Sequence, residues 1–550
     1  MCGIFFILSY IKSKDDKILN IFKKFYQIKY RGPDSSIFKY IDFVLNNSIY
    51  YVTLGFHRLK IIGLDDNGNQ PFYDNGVYLM CNGEIYNYKK LIDQYDLDKR
   101  ITSDCHVILE IYKKYDINEV LKAINGEFAF VLMDKTKGLI YMSRDIFGIR
   151  PLFSNIDFLL QNNLLNDDLI ITSEQKSNDY NSCQIDPATI YEIEFKDKLK
   201  LISKKKYFDI NSYCGGLSDL SNSDNVKINI KNILINTVEE RLMSDRTIGF
   251  LLSGGLDSSL ILTIALDLIN NDYNKYEYLF MNGVHVFSVG LEENQNQNDI
   301  FYAKKLIEYL QNKYNKIKII HHIIQYTMYN GYNRLNDLIY CIESYDQTTV
   351  RASLPMYLMC EYIKNNTDVK VILSGEGADE LFGGYMYFHY APNQKSFHAE
   401  NLKLLDNIHY FDVLRCDRCI ASNGLELRVP FLDKKLVDYV LSLQYIDRIP
   451  NNNEIEKKIL RNSFDGFMPD EILYRQKEAL SNGVGHQWAD QLKNLIYNDH
   501  NMTEDDYYLH IYMNHNYPPK NIPYKWIPNK EWVTVPNNDS SATFLSYYKK

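Results

Sequence analysis

The chain has 550 residues, 45% hydrophobic and 24% charged, which is too long for one ordinary core and has the balance of a soluble globular protein, so two domains are expected. A net charge of -9 is mild for that length and speaks against a protein that lives on nucleic-acid phosphates or an anionic membrane. No run approaches the ~18–20 apolar residues of a membrane span, and nine cysteines scattered without framework spacing point to a reducing compartment.

Taken in chain order, Ile4-Phe5-Phe6-Ile7-Leu8 has no basic segment ahead of it and reads as a strand rather than a signal peptide. Further short apolar segments at 77–80, 128–132 and 169–171, bounded by Asn, Gly and Asp turns, make the first ~200 residues strand-rich. A polar stretch at 211–224 with little periodicity reads as a linker. Beyond it, apolar strands at 248–252 and 369–373 alternate with long amphipathic helices, the pattern of a parallel α/β sheet. Cys416 and Cys419 form a lone CxxC without a second pair or nearby histidines, so two small buried helix residues are expected there rather than a zinc or redox site. The last ~35 residues, rich in Pro, Asn, Trp and Lys, look irregular. The expected division is an N-terminal domain at 2–205, a linker at 206–226, a second domain at 227–515 and an irregular tail at 516–550.

Two constellations carry chemistry. Cys2 follows an initiator Met whose removal would leave thiol and α-amine on one carbon. The amine titrates near ~7.7–8 and the thiol near ~8.5, so the amine can act as base for its own thiol. Gly3 lets the backbone turn tightly beside it. The second constellation follows the strand at 248–252, where Ser253-Gly254-Gly255-Leu256-Asp257-Ser258-Ser259 leads to a helix opening Leu260-Ile261-Leu262. Strand, glycine loop and helix N-terminus make an anion cradle. A Walker loop is excluded, since the terminal Lys-Ser/Thr is missing.

Cys2-Gly3-Ile4, Arg31-Gly32-Pro33-Asp34, Gly55-Phe56-His57-Arg58-Leu59, Asn82-Gly83-Glu84-Ile85-Tyr86-Asn87, Ser103-Asp104 and the run from Arg144 to Leu152 stand in the order of the class II, N-terminal-nucleophile glutamine amidotransferases, which the chain resembles. The resemblance implies Cys2 as nucleophile, Asn82 and Gly83 as oxyanion hole, Arg58 for the glutamine carboxylate, Asp104 for its ammonium and Glu84 as a further glutamine contact. Two departures from the bacterial pattern, His106 for Glu and Gly63 for Asp, fall on no residue assigned to chemistry.

Ser-Gly-Gly-x-Asp-Ser in turn resembles the pyrophosphate loop of enzymes that split ATP between the α and β phosphates. The segments at 287–291, 345–353, 374–385, 425–433 and 475–478 are similar to those of the asparagine synthetases, and the likeness spans all but the final ~40 residues. It implies two domains, an N-terminal α+β four-layer sandwich of N-terminal-nucleophile type and a C-terminal α/β parallel sheet of ATP-pyrophosphatase type. It implies ATP contacts at Leu251, Ser253, Gly254, Gly255, Asp257, Ser258, Ser259, Val289, Ser374 and Gly375. Mg²⁺ would be held by Asp257 and Asp379, Glu376 would be the base for ammonia, and Lys477 and Arg351 would neutralise charge on phosphates and aspartate.

The activity implied is glutamine-dependent synthesis of asparagine from aspartate and ATP through a β-aspartyl-AMP, with ammonia passing internally. A lactam-forming relative would lack the N-terminal Cys and carry Tyr in place of Glu376. A catalytically silent scaffold would have lost one or more of Cys2, Arg58, Asp104, Asp257, Glu376 and Lys477, and all six are present. Amidation of another carboxylate, such as a peptide or sugar acid, is disfavoured by motif identity. The expected partners are glutamine, aspartate and ATP, with no nucleic acid and no membrane. A homodimer is left open, and a free N-terminal Cys favours the cytosol.

Overall fold

A computed structural model describes all residues except 13–14, 179–180, 214–222, 293–297, 445–447, 450–453, 478–487 and 534–550. Residues 214–222 of the expected linker, the final part of the expected tail and Glu478 of the 475–478 motif therefore lie outside the described residues. Two compact units emerge. One takes Met1–Asp209 together with Ala421–Glu426 and Met513–Asn521, and the other takes Ile210–Ile420, Leu427–Tyr512 and Ile522–Lys550. Among the described residues no helix is long and apolar enough to cross a membrane.

The first unit is built on two six-stranded sheets. One runs Cys183–Gln184, Phe153–Ser154, Leu169–Thr172, Gly3–Ser9, Ser48–Arg58 and Ser35–Leu45 from edge to edge. The other runs Lys200–Lys206, Thr189–Glu194, Leu139–Arg144, Gly126–Asp134, Val77–Ile85 and Phe72–Asp74. The sheets face each other across one core. Ile4, Phe6 and Leu8 from the first meet Met80, Val131, Met133, Ile140, Met142 and Ile193 from the second. Strand alternation sends Phe5 and Ile7 to the opposite face, where Ile21 and Phe25 of the helix Asp15–Tyr26 cover them. The helix His106–Lys114 covers the outer face of the second sheet, and Tyr112 donates to Asp134 Oδ2 at 2.9 Å. Helix, sheet, sheet and helix are the four layers. Because both faces of Gly3–Ser9 are covered, its sequence is an unbroken apolar run rather than an alternation.

The second unit is built around a five-stranded sheet ordered Ile319–Tyr326, Val284–Leu291, Ile248–Leu251, Val371–Leu373 and Glu426–Arg428. Its first four strands pair in parallel. From Ile248–Leu251 the chain leaves through the helix Leu256–Asn271 to the strand on one side, while the strand on the other side, Val371–Leu373, arrives much later. Strand order therefore reverses between these two neighbours. Loops at the carboxyl ends of such strands diverge and leave a crevice, where open α/β sheets bind ligands. The two loops at this switch point are 252–255 and 374–377, which carry the glycine-rich motifs. The CxxC pair lies in the helix Asp412–Ala421 with both thiols fully buried.

Candidate active sites

In the first unit, strand Gly3–Ser9 delivers Cys2 from its leading end. The Cys2 backbone nitrogen donates to Asn82 Oδ1 at 2.8 Å, and the thiol sulfur accepts from Leu59 N at 3.4 Å. Asn82 is fully buried in strand Val77–Ile85, and its Nδ2 has no partner among the described residues. An amide donor left unsatisfied in a dry site is costly unless something else arrives to accept from it. Its position beside Cys2 makes a developing oxyanion the natural acceptor. Gly83 follows for a steric reason: a Cβ there would lie 2.3 Å from Glu127 O.

Arg58 is nearly buried, and its guanidinium is held by the loop that follows it. Nη1 donates to Asp65 O at 2.6 Å and Asn69 Oδ1 at 3.1 Å, and Nη2 donates to Gly63 O. A side chain at Gly68 would collide with this guanidinium, since its Cβ would come within 2.0 Å of Nη2. The departure at Gly63 thus sits in the loop that orients Arg58. Asp104, 5% exposed, accepts from Ile85 N at 2.7 Å, and burial pushes its carboxyl up to about 6. Glu84 is buried in the same strand as Asn82.

Arg31 stands in one of the matched motifs, but the sequence assigned it no role. Its Nε donates to the Cys2 carbonyl at 2.9 Å and its Nη1 pairs with the fully buried Glu174 at 2.5 Å, so a buried ion pair holds the backbone of Cys2. With Met1 in place the Met1 amine donates to Leu425 O at 3.0 Å, and burial pushes the Cys2 thiol up to about 11. A thiol so protonated is a poor nucleophile.

In the second unit, Gly255 caps the helix Leu256–Asn271, and Asp257 stands in its first turn. The loop is laced by its own hydroxyls: Ser253 N donates to Ser258 Oγ at 3.2 Å and Gly255 N to Ser253 Oγ at 3.3 Å. Gly254 has φ +70°, and a Cβ there would lie 2.5 Å from Ala303 N, a backbone atom with little room to move. Arg475 clasps the loop from outside, donating to Ser253 O at 3.4 Å and Asp299 Oδ1 at 2.7 Å. The facing loop comes close, since a Cβ on Gly375 would be 2.9 Å from Asp257 Cβ. Leu251, Val289 and Ser374 line the strand ends nearly buried, whereas Ser259 is fully buried within the helix.

Here four charges meet. Lys457 Nζ lies 2.5 Å from both Asp257 Oδ2 and Asp379 Oδ1, and Lys477 Nζ lies 2.6 Å from Asp379 Oδ2. Burial works to raise the Asp379 carboxyl, but Lys457 and Lys477 outweigh it and hold it below the usual carboxylate range. Gly384 leaves the space for this contact, because a Cβ would fall 2.0 Å from both Asp379 Oδ1 and Lys457 Cε. Lys457 was missed in the sequence because Glu456-Lys457-Lys458 reads as a solvated charge run; its φ of +56° and its 1% exposed side chain are legible only in the fold.

Glu376 is paired by another residue that the motifs did not flag: Arg415 Nη2 donates to it at 3.0 Å and to Asp412 Oδ1 at 2.7 Å. Burial raises the Glu376 carboxyl, with Arg415 and Lys477 opposing and Asp412 reinforcing. Arg351 is placed differently from the expectation. It is fully buried in the helix Gln347–Asn366 and donates through Nε to Glu504 Oε1 at 2.8 Å, so its charge is compensated inside the fold. Glu504 also accepts from Gln347 Nε2 at 2.7 Å and Tyr508 OH at 2.7 Å.

Comparison with known proteins gives two family matches: a glutamine amidotransferase domain over residues 1–216 and asparagine synthase over 229–405 and 391–504. A probable glutamine-hydrolysing asparagine synthetase of Acanthamoeba polyphaga mimivirus is 34% identical, over 99% of this chain and 100% of its own length. The glutamine-hydrolysing asparagine synthetase of Gallus gallus is also 34% identical, over 100% of this chain and 99% of its own. That of Homo sapiens is 32% identical with the same coverage.

Proposed function

The chain belongs to the family of glutamine-hydrolysing asparagine synthetases, and from that premise we propose which of its residues carry each step of glutamine-dependent asparagine synthesis. The observation that bears most weight is the convergence of Asp257, Asp379, Lys457 and Lys477 at the switch point of the parallel sheet.

In the glutaminase, removal of Met1 converts the Cys2 nitrogen from an amide into an amine still beside Asn82 Oδ1. That amine takes the thiol proton as sulfur attacks the glutamine amide carbon. Asn82 Nδ2 and the Gly83 N–H donate to the oxyanion, ammonia leaves with the proton, and water then releases glutamate from the thioester. Arg58 meets the substrate carboxylate, Asp104 its ammonium, and Glu84 adds a contact in the same pocket. Arg31 fixes the Cys2 carbonyl and hence the attack geometry.

In the synthetase, the loop from Ser253 to Ser258 and its helix N-terminus receive the ATP phosphates, with Leu251, Val289, Ser374 and Gly375 around the nucleotide. Asp257 and Asp379 converge on one ammonium nitrogen, which is the donor geometry a hard cation meets, so the pair fits Mg²⁺. Bound there, Mg²⁺ would neutralise phosphate oxygens. Lys457 and Lys477 add positive charge as the aspartate carboxylate attacks the α-phosphorus and pyrophosphate departs, leaving β-aspartyl-AMP. Glu376, oriented by Arg415, takes a proton from the ammonia nitrogen as it attacks the acyl carbon and AMP leaves. Arg351 acts through Glu504, which fixes Gln347 at the start of its helix.

Three measurements test these roles. Cys2→Ala is expected to abolish synthesis from glutamine and leave synthesis from ammonium within about twofold of wild type, because only transition-state contacts of the first unit are lost. Glutamine use by the variant would refute the nucleophile. Asp104 must be ionised to hold an ammonium, and its free carboxyl titrates at about 6. The glutamine KM for hydrolysis is therefore expected to be level above about pH 7 and to climb by about tenfold per unit well below 6. A KM independent of pH there would remove Asp104 from the pocket. Glu376→Gln is expected to keep aspartate-dependent exchange of labelled pyrophosphate into ATP within about tenfold while losing asparagine formation by about 10²-fold or more, and Lys477→Ala to lose the exchange itself. Equal loss of exchange in both variants would move Glu376 to substrate or metal binding.

A further inference from the structure

The strand that carries Asn82 and Gly83 is paired along one edge and only partly along the other. Val77–Ile85 meets Gly126–Asp134 over its whole length, but Phe72–Asp74 covers the opposite edge only as far as the pair Phe72↔Leu79. Continued by two residues, that register would set residue 70 against Cys81, and Pro71, just before Phe72, has no N–H to give a ladder. Backbone pairing stops there, and the side chain of Gln70 takes its place. Cys81 N donates to Gln70 Oε1 at 2.6 Å, and Gln70 Nε2 donates to Cys81 O at 3.1 Å. One carboxamide thus closes with Cys81 the same two-bond ring that a neighbouring strand would make.

Both partners are shut away from water, with Gln70 4% exposed and Cys81 1%. Solvent cannot replace these bonds, so losing them would leave a buried donor and a buried acceptor unmet. Along a strand the N–H and C=O of every second residue point to the same edge, so Gly83 shares its edge with Cys81. The contacts agree, since the Gly83 carbonyl accepts from Cys105 Sγ at 3.5 Å, a residue outside the sheet. Gln70 therefore fills the first open position of that edge, and the Gly83 N–H is the next one along it.

We propose that Gln70 is a positioning residue for glutamine hydrolysis: its carboxamide stands in for a missing strand and holds the Cys81–Gly83 backbone so that the Asn82 side chain and the Gly83 N–H meet the oxyanion. The inference rests on the assignment of Asn82 and Gly83 to that oxyanion. A glutamine that only filled space would not need both of its amide groups matched to the donor and acceptor of one residue. The oxyanion forms only as sulfur attacks, so displaced donors slow the chemical step without loosening bound glutamine. Arg58 and Asp104, which hold the two charged ends of glutamine, are fixed by other residues: Asp65 O and Asn69 Oδ1 for Arg58, and Ile85 N for Asp104.

The test uses the full-length enzyme, with glutamine hydrolysis, ammonium-dependent asparagine formation and alkylation of Cys2 by iodoacetamide measured on the same samples, the last by mass spectrometry of the N-terminal peptide. Alkylation displaces iodide from a saturated carbon and builds no oxyanion, so it reports on the thiol alone. Gln70→Leu keeps most of the bulk and neither bond, and is expected to lower kcat for hydrolysis by about thirtyfold or more with the glutamine KM within about threefold. Alkylation and ammonium-dependent synthesis are expected to stay within about twofold of wild type. Gln70→Glu offers the same acceptor and, once protonated, the same donor as the amide. Buried against a carbonyl, that carboxyl titrates above its usual range, so its kcat relative to wild type at the same pH is expected to climb about fivefold or more from about pH 8 to about pH 6. Should Gln70→Leu fold poorly, the pH profile of Gln70→Glu decides alone. Wild-type kcat in Gln70→Leu, a rise in KM with kcat kept, or equal loss of hydrolysis and alkylation would overturn the proposal, as would a Gln70→Glu ratio that ignores pH. Asn82→Ala in the same assays tests the reading beneath it: kcat kept there would remove the oxyanion from Asn82, and the role of Gln70 with it.

Discussion

Everything in the second unit is arranged around one constraint: two carboxylates and two ammonium groups must be held within ion-pair distance where little water reaches them. Lys457 is 1% exposed, Asp257 and Asp379 are 13% and 14% exposed, and Lys477, the most open of the four, is 25% exposed. Charges this poorly solvated are tolerable only if each is compensated by another. Removing any one leaves its partners with an uncompensated charge, so the quartet is mutually dependent. The fold supplies it by topology, because the two aspartates stand in the first turns of the helices that follow adjacent parallel strands, at the point where strand order reverses. It supplies it also by omission. A Cβ on Gly375 would strike Asp257, one on Gly384 would strike the Asp379–Lys457 pair, and one on Gly254 would strike the backbone of Ala303.

The first unit answers a different constraint. The proposed nucleophile, Cys2, leads directly into a strand, and its position is set from the side. Asn82 binds the Cys2 nitrogen, Arg31 binds its carbonyl, and a β-strand covered on both faces carries the residues that follow. The proposed thiol chemistry is therefore carried by a strand that is packed on both faces. Placing the reactive end on a rigid element rather than on a loop is what makes the geometry reproducible.

Much of this was legible in the residues. The apolar run Ile4–Leu8 announced a strand, and the Ser-Gly-Gly-x-Asp-Ser motif announced a glycine-bearing loop between strand and helix. What escaped were residues whose meaning depends on where distant segments meet. Lys457 sits in a charge run that any surface helix could carry, and only a left-handed backbone turn inside the core sends it between two aspartates. Arg415 looks like an ordinary helical arginine until the 374–377 loop brings Glu376 to it. Arg351 shows the converse case. Its motif context suggested a charge offered to phosphates and aspartate and gave no sign that Glu504, more than 150 positions later, pairs with it. Ile522–Val533 has no periodicity because its contacts are made one residue at a time to separate loops, a pattern that leaves no signature in sequence.

The central claim is that the charge quartet serves cleavage of ATP between the α and β phosphates, with glutamine nitrogen consumed for each turnover. The most direct measurement is phosphorus magnetic resonance of the purified protein turning over aspartate, ATP, Mg²⁺ and glutamine, with asparagine and glutamate quantified in the same tube. The account predicts AMP and pyrophosphate accumulating one for one with asparagine, and none of the three forming when aspartate is withheld. Accumulation of ADP and orthophosphate in step with asparagine would contradict it.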